Sequence, residues 1–204
     1  MAFQEFSPYN GDSMIGAFLQ SPFVGLSVFK KFFTGPDFLQ LLKNTLSISI
    51  TSLIFYFPAP IILALLLNEI KNAAFKRVTQ TMVYIPHFIS MVIVAALTAQ
   101  LFSTTDGLVY HWLVEIFGRN NAPDVMSNPR LFVPMIVGQN MWKETGYGTI
   151  IFLAALSGVD VQLYEAAEVD GANRWQKMWH ITLPAIKSTI VIMLILKVGS
   201  ILNT

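Results

Sequence analysis

The chain has 204 residues, of which 54% are apolar and only 12% charged, about half the charged share of an ordinary soluble domain. A net charge of +1 gives no electrostatic basis for a nucleic-acid partner, and the lack of cysteine excludes disulfides and thiolate metal sites. So little charge cannot cover a water-facing surface, and the composition points to a chain that lies largely in lipid.

In chain order, the first 43 residues lack the basic-then-apolar layout of a cleavable signal, so insertion is expected to rely on the membrane helices themselves. Phe29, Phe32 and Phe33 beside Lys30 and Lys31 suggest either an amphipathic helix in the membrane interface or ordinary packing. The first span is expected over about 44–68: Asn44 to Asn68 carries no formal charge, and as helix it is roughly 37 Å long, enough for a hydrocarbon core of about 30 Å. A second span is expected over about 78–103, interrupted only by His87. A third, over about 131–158, carries Lys143 and Glu144 near its middle. A fourth starts near Pro184 and runs over 185–204, with Lys187 and Lys197 in it.

Pro58, Pro60 and Pro86 fall inside these spans and should kink them, which lipid tolerates only where neighbouring helices or water satisfy the freed carbonyls. Between the spans lie a tight turn at Glu69–Arg77, a longer loop at Thr104–Arg130, and a charged, helix-compatible segment at Val159–Leu183. Lys and Arg are spread almost evenly over these connections, so the positive-inside rule orients the chain only weakly.

The Val159–Leu183 segment is the most specific part. It reads as two short helices broken at Gly171, the second ended by Pro184, which also opens the next span. Ala166, Ala167, Gly171 and Ala172 are small enough to let another protein approach the backbone closely. Trp175 and Trp179, four apart, share one face of the second helix and suit the membrane interface or packing.

Glu165-Ala166-Ala167, then Gly171 after three residues, then Ile181 and Leu183-Pro184, resembles the EAA loop of the permeases of binding-protein-dependent ABC importers. The resemblance implies an all-α polytopic membrane helix bundle, the type I transmembrane domain of such importers. It also implies a bacterial plasma-membrane location and a cytoplasmic coupling loop at 160–184. On that loop Glu165, Ala166, Ala167, Asp170, Gly171, Ala172, Ile181, Leu183 and Pro184 would meet an ATPase subunit, with Glu165 pairing with a basic residue. Implied partners are two ATPase subunits, a second permease and an extracytoplasmic solute-binding protein. The chain itself would be non-catalytic and hold no cofactor, ATP being bound by the ATPase.

Further segments resemble the carbohydrate branch of that family: Phe57 to Glu69, Tyr84 to Ser90, Trp142-Lys143-Glu144 with Gly146 and Gly148, and Phe152 to Leu156. Val24-Gly25-Leu26 with Phe29, ahead of Pro36-Asp37-Phe38, resembles the external lead-in to such permeases, which assigns 1–43 as an extracytoplasmic lead-in and 44–204 as the transmembrane domain. Members commonly have six spans, so the domain is expected to be incomplete at both ends.

Asn140, Lys143 and Tyr147 fall on one helical stripe and Asn140, Glu144 and Gly148 on its neighbour. With Trp142 they offer one wall of a sugar path; helix packing through a buried ion pair is the alternative. Adjacent residues on a helix point about 100° apart, so Lys143 and Glu144 are not expected simply to pair. His87 has no partner at metal-binding spacing, and a structural hydrogen bond is its expected role. A secondary transporter or channel would also use kinked spans, but has no need of a long helix-Gly-helix loop. No P-loop or hydrolase motif is present.

Overall fold

The computed structural model describes Phe3, Ile15, Gly16 and residues 21–201. The rest of the 1–43 lead-in and the last three residues of the expected fourth span lie outside the described residues. Two compact units are present, Met1–Leu46 and Ser47–Thr204, with the division falling inside one helix.

In the first unit, helix α1 (Ser27–Thr34) carries the expected aromatic and lysine residues, and its chain then turns at Gly35 into α2 (Phe38–Thr51). Phe32, Phe33 and Phe38 meet edge to face at 5.1–5.6 Å between ring centres. Gly25, at φ +56°, takes a backbone conformation that residues with a Cβ seldom adopt.

In the second unit, α2 passes through a wide π turn (Ser52–Tyr56) into α3 (Pro58–Asn68). The proline explains that turn. Pro58 lacks an N–H and its ring would strike the carbonyl four residues back, and one extra residue per turn removes the conflict. The Phe57 N–H accordingly reaches Ser52 O at 3.2 Å. The run Phe38–Asn68 is thus a single helix of 31 residues, long and apolar enough to cross a membrane, and it begins six residues before the first span expected from charge alone.

The second expected span is not one kinked rod. Helix α4 (Ala73–Tyr84) starts earlier, because the Asn72 side chain caps it by accepting from Phe75 N at 3.0 Å, and so Lys76 and Arg77 belong to the helix rather than to a tight turn. Pro86 then forces a 3-10 turn (Ile85–Phe88), and α5 (Met91–Leu101) leaves at 95° to it. The expected loop at Thr104–Arg130 holds a short apolar helix, α6 (Leu108–Phe117), ended by Gly118 at φ +79°.

Helix α7 (Pro129–Ser157) covers the third expected span and is capped by Asn128. Helices α8 (Val161–Val169) and α9 (Arg174–Ala185) follow, then α10 (Lys187–Gly199). Pro184 does not end α9. A second π turn (Met178–Thr182) precedes it, as before Pro58, and the helix runs on to Ala185 before bending by 60° into α10. Counting each bent pair as one span gives up to four spans by length and composition.

The core of this unit is small. Ala64, Phe152, Leu156 and Ile186 are buried together where α3, α7 and the start of α10 meet. Two glycines let the helices approach. A Cβ at Gly146 would collide with the Val83 carbonyl of α4, and one at Gly148 would stand 3.0 Å from the Pro60 ring of α3. Most other apolar side chains of the spans stay exposed, as expected where lipid rather than water surrounds them.

Candidate functional site

Two groups of residues carry chemistry. The first is the loop formed by α8 and α9. Asp160 caps α8 by accepting from Gln162 N at 2.9 Å. The helix ends in a Schellman motif: Ala172 N–H reaches Ala167 O at 2.9 Å, Gly171 N–H reaches Glu168 O at 3.1 Å, and Gly171 takes φ +77°. Asn173 and Gln176 then form a reciprocal capping box at 2.8 and 3.0 Å that opens α9. Lys177 donates to Glu168 at 3.1 Å across the bend, and Tyr164 Oη lies 3.0 Å from Thr182 Oγ1. The hydrogen bond and charge of Lys177 hold the Glu168 carboxyl below the usual glutamate range. These contacts stiffen a bend that would otherwise be free.

The loop also presents groups to a partner. Glu165 is exposed and makes no ion pair with a described residue. Val169 is 88% exposed. Ala167, Asp170, Gly171, Ala172 and Ile181 share a shallow cavity of ≈ 280 Å³ with Lys177 and His180. Ala166 is exposed beside it, Leu183 is half-buried near Trp175 and Trp179, and Pro184 is exposed. The two tryptophans line a separate apolar groove of ≈ 450 Å³ against α3, with Ile62, Leu66 and Leu183.

The second group lies on α7. Lys143 Nζ donates to Glu144 Oε1 at 2.6 Å and to the His87 carbonyl at 3.0 Å; Glu144 Oε2 in turn lies 2.7 Å from His87 Nδ1. The Tyr147 ring stacks on the His87 ring at 3.9 Å and 6°. The expectation that neighbours on a helix do not pair is thereby corrected. A lysine stem has four methylenes, and both side chains swing toward the same spot, the 3-10 turn made by Pro86. There His87 O is a carbonyl at the negative end of a short helix, and a cation caps it well.

The structure therefore brings Lys143, Glu144 and Tyr147 together around His87. It does not bring Asn140 and Trp142 with them. Asn140 is half-buried within α7, and its side chain makes no hydrogen bond to a described residue. Trp142, 52% exposed, lines a cavity of ≈ 270 Å³ with Val94, Leu97, Thr98, Leu101 and Gln139, where Gln139 Nε2 donates to Thr98 Oγ1 at 2.7 Å. The structural hydrogen bond expected of His87 is present, with Glu144 as the partner that spacing did not name, whereas the Gln139–Thr98 pair was overlooked. Contacts 57 and 41 residues apart leave no trace in spacing. No group of His, Cys, Asp and Glu among the described residues suits a metal ion.

Kinked apolar helices, an intramembrane polar cluster and a stiff helix-Gly-helix loop together define a membrane transport component. Residues 56–204 match the family described as "Binding-protein-dependent transport system inner membrane component", and the chain belongs to that family. It is 50% identical over its whole length to Protein LplB of Bacillus subtilis (strain 168), and 49% identical to the polygalacturonan/rhamnogalacturonan transport system permease protein YteP of the same organism. The chain spans 61% of the length of each. A chain of a bacterial ABC transporter involved in the import of the acidic polysaccharide alginate shares its fold, with a TM-score of 0.85 and 42% identity over 94% of this chain and 67% of that one. The all-α membrane bundle read from the sequence is therefore the fold of this family.

Proposed function

We propose that this chain is part of the permease subunit of an ATP-binding-cassette importer in the bacterial plasma membrane. In this reading it forms one wall of the path for an oligosaccharide. It works with a second permease, two ATPase subunits that bind and hydrolyse the ATP, and an extracytoplasmic solute-binding protein. The chain does no covalent chemistry. Relatives named for saccharide transport, and a structural relative solved in complex with an alginate pentasaccharide-bound periplasmic protein, support the substrate and partner assignments.

The single observation that carries the reading is the α8–Gly171–α9 loop. Its bend is fixed by a Schellman motif, a capping box and the Glu168–Lys177 pair, while Glu165, Ala166 and Val169 stand free for a partner. A loop built this way transmits a push, because a soft one absorbs it. Ala167, Asp170, Gly171, Ala172, Ile181, Leu183 and Pro184 complete the docking surface in this proposal. Lys143, Glu144, Tyr147, Trp142 and Asn140 belong to the path.

The test is uptake and ATP hydrolysis measured together in proteoliposomes holding the assembled transporter. Proline needs φ near −65° and cannot follow Gly171 at +77°. Gly171→Pro should leave the ATPases active but sever hydrolysis from uptake. Normal uptake by this variant at normal expression would overturn the coupling role, and uptake that survives without ATP but collapses with an ion gradient would overturn the importer reading.

A further inference from the structure

Helix α8 has no buried residue, and of its side chains only Tyr164 and Ala167 are partly withdrawn from solvent. Apolar packing is therefore too thin to fix how α8 is turned about its own axis. Polar contacts must do so, and among the described residues two side-chain contacts reach across to α9. Lys177 donates to Glu168 at 3.1 Å, but that carboxylate is exposed, and a pair so open to water contributes little and weakens with salt. The other contact, Tyr164 Oη to Thr182 Oγ1 at 3.0 Å, ends on a threonine that is 5% exposed.

Thr182 Oγ1 also donates to the Lys177 carbonyl at 3.3 Å, and a hydroxyl has one proton to give, so the Tyr164 hydroxyl is the donor to Thr182. A threonine hydroxyl on an ordinary helix reaches the carbonyl three or four residues back. This one reaches five back, as the wide π turn at Met178–Thr182 allows. From Thr182 the connection runs into the core, because its carbonyl accepts from Ile186 N at 3.3 Å and Ile186 is buried with Ala64, Phe152 and Leu156. On the other side Tyr164 adjoins Glu165, the exposed carboxylate of the docking surface. A single phenol thus stands between the face offered to a partner and the core that joins α3, α7 and the start of α10.

We propose that Tyr164 is a positioning residue for coupling. Its hydroxyl, acting through Thr182, locks the rotation of α8 against the π turn of α9, so that a push on the Glu165 face moves Ile186 and the core instead of rolling α8 in place. It touches neither solute nor nucleotide. The exposed Glu168–Lys177 pair is secondary in this arrangement. The proposal rests on the importer reading above, and adds to it the side chain through which the loop grips the membrane helices.

The test uses the complete transporter in proteoliposomes, with ATP hydrolysis and uptake of a galacturonic-acid trimer followed together. A hydrogen bond of this kind shifts the balance between a held and a rolled helix roughly fivefold, the equivalent of about 1 kcal/mol. Tyr164→Phe and Thr182→Val should each lower uptake per ATP hydrolysed by about that factor while hydrolysis continues. Thr182→Ser, which retains the hydroxyl, should keep the coupling that Thr182→Val loses, and Lys177→Ala should cost less than Tyr164→Phe. This chain has no cysteine, so spin labels at Val161→Cys in α8 and Ile192→Cys in α10, both exposed positions, add a reading that needs no solute. One narrow distance between them is expected with Tyr164 present and a broad distribution in Tyr164→Phe. An unchanged coupling ratio, an unchanged distance distribution, or hydrolysis and uptake that fall in step would overturn the proposal, as would a larger loss from Lys177→Ala. Wild-type transporter that hydrolyses ATP and moves no trimer would instead refute the saccharide reading, and the label distances would still decide the role of Tyr164.

Discussion

Removing one partner of the Lys143–Glu144 pair should damage the protein more than removing both. In Glu144→Leu, the Lys143 ammonium keeps its bond to the His87 carbonyl but loses its anion, and His87 Nδ1 loses its 2.7 Å partner. Breaking a fully buried pair costs about 3–5 kcal/mol. Here the side chains keep 14% and 30% of their exposure, and one hydrogen bond to Lys143 survives, so a loss of about 2 kcal/mol is the better expectation. For a chain of this size that corresponds to roughly 4–8 °C in melting temperature. Lys143→Met with Glu144→Leu removes both charges and fills the space with apolar atoms, and this should recover most of the stability. The assay is thermal unfolding of the purified chain in detergent, following helix content. A Glu144→Leu melt within 1 °C of wild type would refute the view that this ion pair holds the 3-10 turn to α7. A double variant less stable than the single one would refute the claim that charge, rather than shape, sets the cost.

Gly146→Ala should lower the melting temperature by several degrees, since overpacking costs about 1–3 kcal/mol and the added methyl meets backbone rather than a side chain that can move; an unchanged melt would show that α4 and α7 do not touch there. Lys177→Ala should flatten part of the pH dependence of stability. Lys177 depresses the folded-state pKa of Glu168, so the pair stabilises the loop above the ordinary glutamate range and that contribution fades as pH falls through the lowered value. Melting curves of wild type and variant should converge in acid and separate at neutral pH, and a constant separation across that range would count against the pair.

The parts of this structure that were legible in the sequence are those whose contacts are local. The bend at Gly171 is set by hydrogen bonds between residues three and five apart, the opening of α9 by Asn173 and Gln176, and the staple between Glu168 and Lys177 spans nine positions. Spacing records such features directly. The spans were legible through the lack of charge over 44–68 and through the length of 131–158, but their ends were not. The side chain of Asn72 opens α4 upstream of two basic residues, and a charge count places the boundary after them. The apolar stretch at Leu108–Phe117 was hidden by the glycines and prolines around it, which mark turns whether or not a helix lies between them.

Prolines show why the remainder was hidden. Pro58, Pro60 and Pro86 were expected to kink their spans and Pro184 to end its helix, yet Pro60 lies inside α3 without a break of its own, and the response differed among the other three. Before Pro58 and before Pro184 the chain takes one π turn and the helix continues; at Pro86 it breaks and the next helix leaves at 95°. The difference lies in what receives the freed backbone groups. At Pro86 the helix passes into a 3-10 turn and stops, and the Lys143 ammonium on a distant helix takes the His87 carbonyl that this end leaves open, so a sharp break is stabilised from outside. At the other two prolines the helix supplies its own wider hydrogen bonds, Phe57 to Ser52 and Leu183 to Met178. Only the second kind of answer is written near the proline itself. The first depends on a side chain 56 residues away, and for that reason the break that gathers His87, Lys143, Glu144 and Tyr147 into one cluster is a property of the fold and cannot be read from the local sequence.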